Sequence, residues 1–157
     1  MPHLLFVCTA NICRSPLAEG YFRQRLQEQG LDDWIVSSAG TWAEQVRGAS
    51  RYSVEVMSDM GVDIGSHRAR MIDETILAGV DLILTMASGH AEALRAEFPR
   101  HAHKVYLLSA MAGPEYNIAD PYGGPRTDYE MMARDVTRLI DEGWEQIMAL
   151  GYRAAEA

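Results

Sequence analysis

The sequence predicts an α/β fold, a Rossmann-like three-layer sandwich in which a four-stranded parallel sheet carries helices on both faces. Three observations lead to this prediction. Short, wholly apolar runs such as Leu4–Val7 have the composition of strands that are buried on both faces. Segments with apolar residues at helical spacing separate these runs. Strands that alternate with helices imply right-handed crossovers and therefore a parallel sheet.

The first predicted unit is a strand, a loop and a helix. The strand Leu4–Val7 leads directly into Cys8–Ser15, a stretch of small and polar residues. Pro16 suits the first turn of a helix, and apolar residues then recur at helical spacing until Gly30 ends the segment. The loop is therefore expected between the carboxyl end of a buried strand and the start of a helix.

The rest of the chain continues this alternation. The apolar runs and periodic segments predict, in order, a strand at 34–38, a helix at about 50–60, a strand at 80–86, a helix at about 88–98 and a strand at 104–108. A loop rich in Gly, Pro and Asp spans roughly 112–127, and one long amphipathic helix with its apolar side from Met132 to Met148 closes the chain. Since no repeat or linker interrupts this order, we expect a single domain over residues 1–157.

Composition and charge disfavour several kinds of partner. The formal net charge of −8 argues against nucleic acid, because binding to a phosphate backbone needs a basic face. No apolar run approaches the roughly 18 residues of a membrane span, and the N-terminus lacks a secretory signal, so we expect no membrane partner and a cytoplasmic location. Two cysteines cannot build a disulfide framework. No metal or other cofactor is predicted, because His3, His90, His101 and His103 fit no metal-ligand spacing and are expected at the surface.

The loop Cys8–Ser15 has the features of an oxyanion site that contains a nucleophile. In open parallel sheets, ligands bind beyond the carboxyl ends of the strands, where loops meet helix N-termini. No residue from Thr9 to Ser15 is proline, so every backbone N–H can turn toward an anion. Arg14 adds a cation that can hold two phosphate oxygens, and this positive field favours the thiolate of Cys8. A thiolate facing a phosphate is a nucleophile for a covalent intermediate, and Ser15 can donate a hydrogen bond to the sulfur.

Most single cysteines that follow a strand are packing residues. Here the cysteine is followed by five residues and then by Arg14-Ser15, between a strand and a helix, and this context favours the nucleophile instead.

The whole stretch Val7–Pro16 closely resembles the signature loop of the low-molecular-weight protein tyrosine phosphatases, which also lies near the N-terminus in that family. Three further motifs extend the resemblance over nearly the whole chain: Ser38–Gly40, His67–Arg70 and Asp120–Tyr122.

The resemblance implies a phosphatase that hydrolyses phosphotyrosine, in proteins or as aryl phosphate monoesters, through a phosphocysteine intermediate. Its partners would be a phosphorylated protein substrate and inorganic phosphate or other oxyanions in the loop. Cys8 would be the nucleophile, Arg14 would bind the phosphoryl oxygens, and Asp120 would supply the carboxyl group that acts as general acid and later as base. The loop residues expected to bind the substrate are Thr9, Ala10, Asn11, Ile12, Cys13 and Ser15.

Aromatic and polar residues outside the loop complete the expected site. Tyr122 resembles the aromatic residue that stacks on the substrate ring, and Trp42 is a candidate for another wall, with half-buried packing as the alternative. Asn11, Ser38 and His67 resemble the family's supporting network, whose contacts with the loop would preorganise its donors. An ordinary residue at a helix start is the alternative for His67.

The second loop cysteine has two interpretations. In the family this residue can pair with the nucleophile under oxidation, and the resemblance implies that Cys13 can do the same with Cys8. The alternative is that Cys13 is a small apolar residue packed under the loop.

Three rival functions remain open at this point. Thioredoxin-coupled arsenate reductases share the loop but need cysteines beyond Cys13, and the chain has none. Bacterial protein-arginine phosphatases have an Asp-Pro-aromatic-Gly-Gly loop that resembles Asp120–Gly124, but they carry Thr where this chain has Ile12, which favours tyrosine. A non-catalytic oxyanion-binding module would lack one of the three catalytic residues, and all three are present.

Overall fold

In a computed structural model that describes residues 1–157, four parallel strands form one sheet in the order β2-β1-β3-β4. The strands are β1 His3–Cys8, β2 Ile35–Gly40, β3 Leu82–Thr85 and β4 Val105–Leu107. β1 lies between β2 and β3, and its residue Val7 pairs with Ala39 on one side and with Thr85 on the other. The winding direction reverses between β1 and β3, and this is the point where open α/β sheets bind their ligands. Cys8 ends β1 at that point.

Helices cover both faces of the sheet, which confirms the predicted three-layer α/β fold. They are α1 Arg14–Glu28, α2 Arg51–Asp59, α3 Glu74–Ala78, α4 Ser88–Glu97, α5 Arg126–Glu142 and α6 Trp144–Glu156, with short 3₁₀ turns at Pro99–Lys104 and Leu108–Met111. The core beneath α1, α2, α5 and α6 is the larger one, and α3 and α4 cover the smaller core on the opposite face. No helix has both the length and the apolar character that a bilayer crossing requires.

The alternating side chains of β1 contribute to both cores. Leu4 and Phe6 belong to the larger core, whereas Leu5 and Val7 belong to the smaller one, because successive side chains of a strand point to opposite faces. All four are fully buried. Each such side chain stabilises the fold by about 1.5–3 kcal/mol relative to leaving it exposed. This two-sided burial explains why the strand is continuously apolar in the sequence.

The prediction of one long closing helix is wrong, because the chain breaks at Gly143 between α5 and α6. A Cβ atom at Gly143 would lie 2.7 Å from Cβ of Met111 and 2.8 Å from the carbonyl oxygen of Leu139. Only glycine therefore fits at position 143, where the chain passes the 3₁₀ turn Leu108–Met111. The apolar periodicity continues across the break because both helices face the same core. α3 was not predicted, since five residues carry too little periodicity.

The prediction that the histidines other than His67 lie at the surface is wrong for His90, which is only 7% exposed. The first turn of α4 directs its imidazole toward the loop after β1, where both ring nitrogens find hydrogen-bond partners. His3 and His101 are partly exposed, and His103 is fully at the surface. A buried histidine with satisfied nitrogens cannot be distinguished from a surface one by local sequence alone.

Candidate active site

The loop after β1 turns its carbonyl groups outward. These carbonyl groups accept hydrogen bonds from other parts of the chain: Cys8 from the N–H of Thr41, Thr9 from the N–H of Trp42, Asn11 from Nε2 of His67, Ile12 from the N–H of Ser50, and Cys13 from the hydroxyl of Ser53. By contrast, none of the backbone N–H groups from Thr9 to Cys13 donates a hydrogen bond to another protein group. The helix dipole of α1 points its positive end at the same place. The loop is therefore a concave set of donors suited to an anion.

Asn11 gives the loop its shape. Its φ of +58° lies in the left-handed region, which asparagine tolerates better than most residues. Its Nδ2 donates to Oγ of Ser15 at 2.8 Å and to Oγ of Ser38 at 2.9 Å, and its Oδ1 accepts from the backbone N–H of Arg70 at 3.0 Å. The carbonyl of Asn11 also accepts from Nε2 of His67 at 2.7 Å. Both amide hydrogens are thus used, and the side chain holds the loop at three places.

The same network directs a hydroxyl group at the sulfur of Cys8. Ser38 donates to Oε1 of Glu19 at 2.6 Å, and Asn11 donates to both serines. Because Ser15 already accepts from Asn11, its own hydroxyl is free to donate to Sγ of Cys8, 2.9 Å away. A hydrogen bond of this direction stabilises a thiolate. Glu19 was not predicted as a site residue, although its position one helical turn after Ser15 places the two on the same side of α1.

Arg14 and Asp120 face each other across the loop. Arg14 is only 5% exposed, its Nη1 donates to the carbonyl of Ile118 at 2.8 Å, and its Nη2 lies 3.6 Å from Oδ2 of Asp120. Its Nε is buried and has no partner. The Asp120 side chain is about half exposed, at 49%, and its Oδ1 accepts from the backbone N–H of Tyr122 at 3.1 Å. The arrangement places a carboxyl group at the rim, beside the oxyanion loop.

A cavity of about 740 Å³ opens above the loop. Cys8 and Arg14 line its floor, and Trp42 and Tyr122 line its sides. Trp42 is 80% exposed and Tyr122 is 60% exposed, so the alternative of half-buried packing for Trp42 is wrong. Ile12 lines the cavity as well. Two exposed aromatic rings around an anion site can bind an aryl group that carries phosphate.

Arg47 joins the two sides of the cavity mouth. Its guanidinium lies 5.7 Å from the ring centroid of Tyr122, which is a cation–π contact. Its Nη2 also donates to the hydroxyl oxygen of Tyr122 at 3.4 Å. The segment that carries it is held by Ala69, which accepts from the backbone N–H of Val46 at 2.8 Å and donates to the carbonyl of Arg47 at 2.7 Å. Arg47 was not identified from the sequence, because no local pattern indicates its contact with Tyr122.

The thiol of Cys13, another loop residue, is buried among polar partners. Its Sγ is 2.9 Å from Oγ of Ser50 and 3.7 Å from the hydroxyl oxygen of Tyr129, and the residue is 4% exposed. Burial raises the pKa of the Cys13 thiol above its ordinary value. Cys8 and Cys13 are both free thiols. Cys13 therefore stays protonated at neutral pH.

Comparison with known proteins gives consistent matches. A family model described as low molecular weight phosphotyrosine protein phosphatase matches residues 3–151. A low molecular weight protein-tyrosine-phosphatase of Streptomyces coelicolor is 40% identical over 134 residues, covering 80% of each chain. The crystal structure of a low molecular weight protein tyrosine phosphatase from T. tengcongensis has a TM-score of 0.88 at 39% identity and covers 93% of this chain and 99% of that one. An arginine phosphatase whose cysteine-to-serine variant carries a phosphorylated active-site serine has a TM-score of 0.89 at 27% identity, covering 97% and 99%.

Proposed function

Because the chain belongs to the low molecular weight phosphotyrosine protein phosphatase family, we propose that it hydrolyses phosphotyrosine and other aryl phosphate monoesters through a phosphocysteine at Cys8. One observation carries the proposal. The backbone N–H groups of Thr9–Cys13 have no protein acceptor, and most of these residues line the same cavity as Cys8 and Arg14. Such a set of donors complements the three equatorial oxygens of a phosphoryl group in transfer.

In the first step, Sγ of Cys8 attacks phosphorus while the loop N–H groups and Arg14 hold the equatorial oxygens. The bond from phosphorus to the ester oxygen breaks, and the departing oxygen takes a proton from Asp120. The unpartnered Nε of Arg14 supports this role, because a buried cationic donor without an acceptor is costly until an anion supplies one. The product is an alcohol or phenol, with the phosphoryl group on sulfur.

In the second step, water attacks phosphorus and Asp120, now ionised, accepts its proton. The phosphorus–sulfur bond breaks and Cys8 leaves as a thiolate, which the hydroxyl of Ser15 stabilises from 2.9 Å. Inorganic phosphate then leaves the loop. The rim position of Asp120 suits both steps, because the leaving oxygen and the attacking water approach from the same open side.

The cavity mouth favours an aromatic substrate. Trp42 and Tyr122 are exposed and line the cavity, and Ile12 of the loop also lines it, although that residue is only 2% exposed. Phosphotyrosine fits these walls because an aryl ring stacks on aromatic faces. Phosphoarginine is the second candidate, supported by the similarity to an arginine phosphatase and by the sequence Asp120–Gly124.

A comparison of two peptides that differ only in the phosphorylated residue tests this function. We expect a higher kcat/KM for the phosphotyrosine peptide than for the phosphoarginine peptide. The Cys8→Ser variant is the control, and we expect it to lose turnover while it still binds inorganic phosphate in calorimetry. Turnover by Cys8→Ser would refute the mechanism. A preference for the phosphoarginine peptide would show that the enzyme is an arginine phosphatase, the second candidate. Phosphate binding by the native enzyme without activity on either peptide would indicate a binding module.

We also propose that residues 1–157 act as one catalytic domain in the cytoplasm. The free thiols of Cys8 and Cys13 support the location, since a reducing compartment keeps a nucleophilic cysteine available. The proposed chemistry uses only side chains and backbone groups of this chain, and its partners are a phosphorylated protein and the inorganic phosphate it releases.

A further inference from the structure

A buried histidine outside the proposed catalytic set contacts the oxyanion loop. His90 lies in the first turn of α4, and its Nδ1 accepts a hydrogen bond from the backbone N–H of Ala87 at 3.1 Å. A backbone N–H can only donate, so the ring must carry its proton on Nε2. That Nε2 lies 2.8 Å from Oγ1 of Thr9 and donates to it. The tautomer and the direction of both hydrogen bonds are therefore fixed by the partners.

Thr9 is the first residue after the nucleophile, and the protein holds it from two sides. Its carbonyl oxygen accepts from the backbone N–H of Trp42 at 2.8 Å, and its hydroxyl accepts from His90. Its own N–H has no protein acceptor and belongs to the set that faces the anion. The orientation of that N–H therefore depends on both contacts.

The turn that runs from the end of β3 through the first residues of α4 (86–90), and so includes His90, also holds the loop that carries Asp120. Two hydrogen bonds make this connection: Ile118 N–H to the carbonyl of Met86 at 2.9 Å, and Ser88 N–H to Oδ1 of Asn117 at 2.8 Å. The same turn thus contacts the nucleophile loop through an imidazole and the acid loop through the backbone. A displacement of this turn would change the distance between the two loops.

We propose that His90 is a positioning residue, which sets the N–H of Thr9 relative to the general-acid loop by donating Nε2–H to the Thr9 hydroxyl. This inference rests on the proposed phosphatase function. Burial, followed by the nearby charge of Arg14, lowers the pKa of His90 to about 4, whereas Asp120 acts in the opposite direction. The imidazole therefore stays neutral at neutral pH, and the Nδ1 lone pair remains available to Ala87.

Variants at both ends of the contact test the inference. His90→Leu removes the donor, and Thr9→Val removes the acceptor with little change of shape. We expect each to raise the Ki of inorganic phosphate, measured as a competitive inhibitor, by about tenfold, the range for loss of a buried hydrogen bond. Because both changes break the same contact, the double variant should lose little more than either single variant. His103→Leu, at an exposed histidine, is the matched control and should leave Ki and kcat/KM unchanged.

A conservative variant distinguishes positioning from mere space filling. The glutamine side chain carries a carbonyl acceptor and an NH2 donor group, so His90→Gln should recover most of the lost phosphate affinity, whereas His90→Leu should not. Wild-type Ki in Thr9→Val, or fully additive losses in the double variant, would overturn the inference. If His90→Leu does not fold, the Ki of phosphate measured with Thr9→Val still tests the inference. Turnover by Cys8→Ser would instead refute the proposed function, so the two failures are distinguishable.

Discussion

At the residue scale, the guanidinium of Arg14 has a different environment at each of its nitrogen atoms. Nη1 donates to the carbonyl of Ile118, Nη2 faces the carboxylate of Asp120, and Nε is buried without a partner. Leaving a buried donor unpaired costs about 1–3 kcal/mol, and more when the group is charged. A bound oxyanion removes this cost. We therefore expect the fold to hold Arg14 ready for an oxyanion, at the expense of some stability.

Replacement of Asp120 tests its proposed role in proton transfer. Asp120→Ala should lower kcat by about 10²–10⁴-fold for aryl phosphates with poor leaving groups, because those need the proton most. The loss should be smaller for good leaving groups, and it is measured as the slope of log kcat against the pKa of the leaving phenol. Asp32→Ala, at an exposed carboxylate away from the cavity, is the control. An equal loss across the whole series would contradict the acid role.

The buried neutral imidazole of His90 predicts a pH dependence of stability. Its pKa is about 4 in the folded protein, against an ordinary 6.5, so between these values the unfolded chain binds more protons. The stability contributed by this group is complete well above pH 6.5 and falls as the pH decreases toward 4, by about 2.5 kcal/mol at pH 4.5. Urea unfolding of wild type and His90→Gln at pH 7.5 and pH 4.5 measures it. We expect the variant to lose less stability on acidification, and equal losses would refute the assignment.

At the scale of elements, the carboxyl end of β2 packs against the loop Cys8–Ser15. Gly40 ends this strand, and a Cβ atom there would overlap the carbonyl oxygen of Thr9 and lie 3.1 Å from the backbone nitrogen of Asn11. The other side is also occupied, since Gly40 donates to the carbonyl of Arg70 and accepts from the N–H of Ile72. The backbone of β2 is thus enclosed between the loop and a neighbouring segment, and it has little room to move.

Gly40→Ala should therefore damage the loop more than the fold. The added methyl group must displace the Thr9 carbonyl, which overpacks the site by about 1–3 kcal/mol. We expect kcat/KM to fall and the Ki of phosphate to rise, each by about tenfold or more. Gly113→Ala is the matched control, because nothing lies within 4 Å of a Cβ atom at that position. Wild-type values of both constants in Gly40→Ala would show that the loop tolerates the shift.

At the scale of the whole molecule, the C-terminal helix α6 closes the larger core. Trp34, 8% exposed, packs against Phe22 with ring centroids 5.7 Å apart and against Tyr152 at 5.3 Å. Gly151 of α6 lies directly over the indole, where a Cβ atom would overlap the ring. Since none of these residues lines the cavity, we expect stability and catalysis to depend on different parts of the molecule.

Gly151→Ala tests this separation. The methyl group would push α6 away from Trp34, and we expect a loss of about 1–3 kcal/mol in the free energy of unfolding. Circular dichroism during urea unfolding measures this as a lower midpoint with an unchanged slope. kcat at 20 °C should stay at the wild-type value. Gly48→Ala, where a Cβ atom meets nothing within 4 Å, controls for the change in backbone freedom. Unchanged stability, or a matching loss of kcat, would contradict the separation.

The sequence alone determined the fold class and the place of the oxyanion loop. Continuous apolar composition predicts β1, because two-sided burial leaves no room for polar side chains. Cys8–Ser15 follows it without interruption, and the helix begins where Pro16 permits it. These signals are local, since each depends only on residues that are close together in the sequence. The family resemblance followed from the same short motifs and agrees with the match over residues 3–151.

Only the tertiary structure decided which distant groups meet at the site. The hydrogen bond between Thr9 and His90 joins residues 81 positions apart, and the contact between Arg47 and Tyr122 joins residues 75 apart. The break at Gly143 depends on Met111, which lies in another part of the chain. Hydrophobic periodicity records which side of an element is buried but not which residue lies opposite. The sheet order and the crossovers determine those pairs, so the positioning of the catalytic loops is a property of the folded chain.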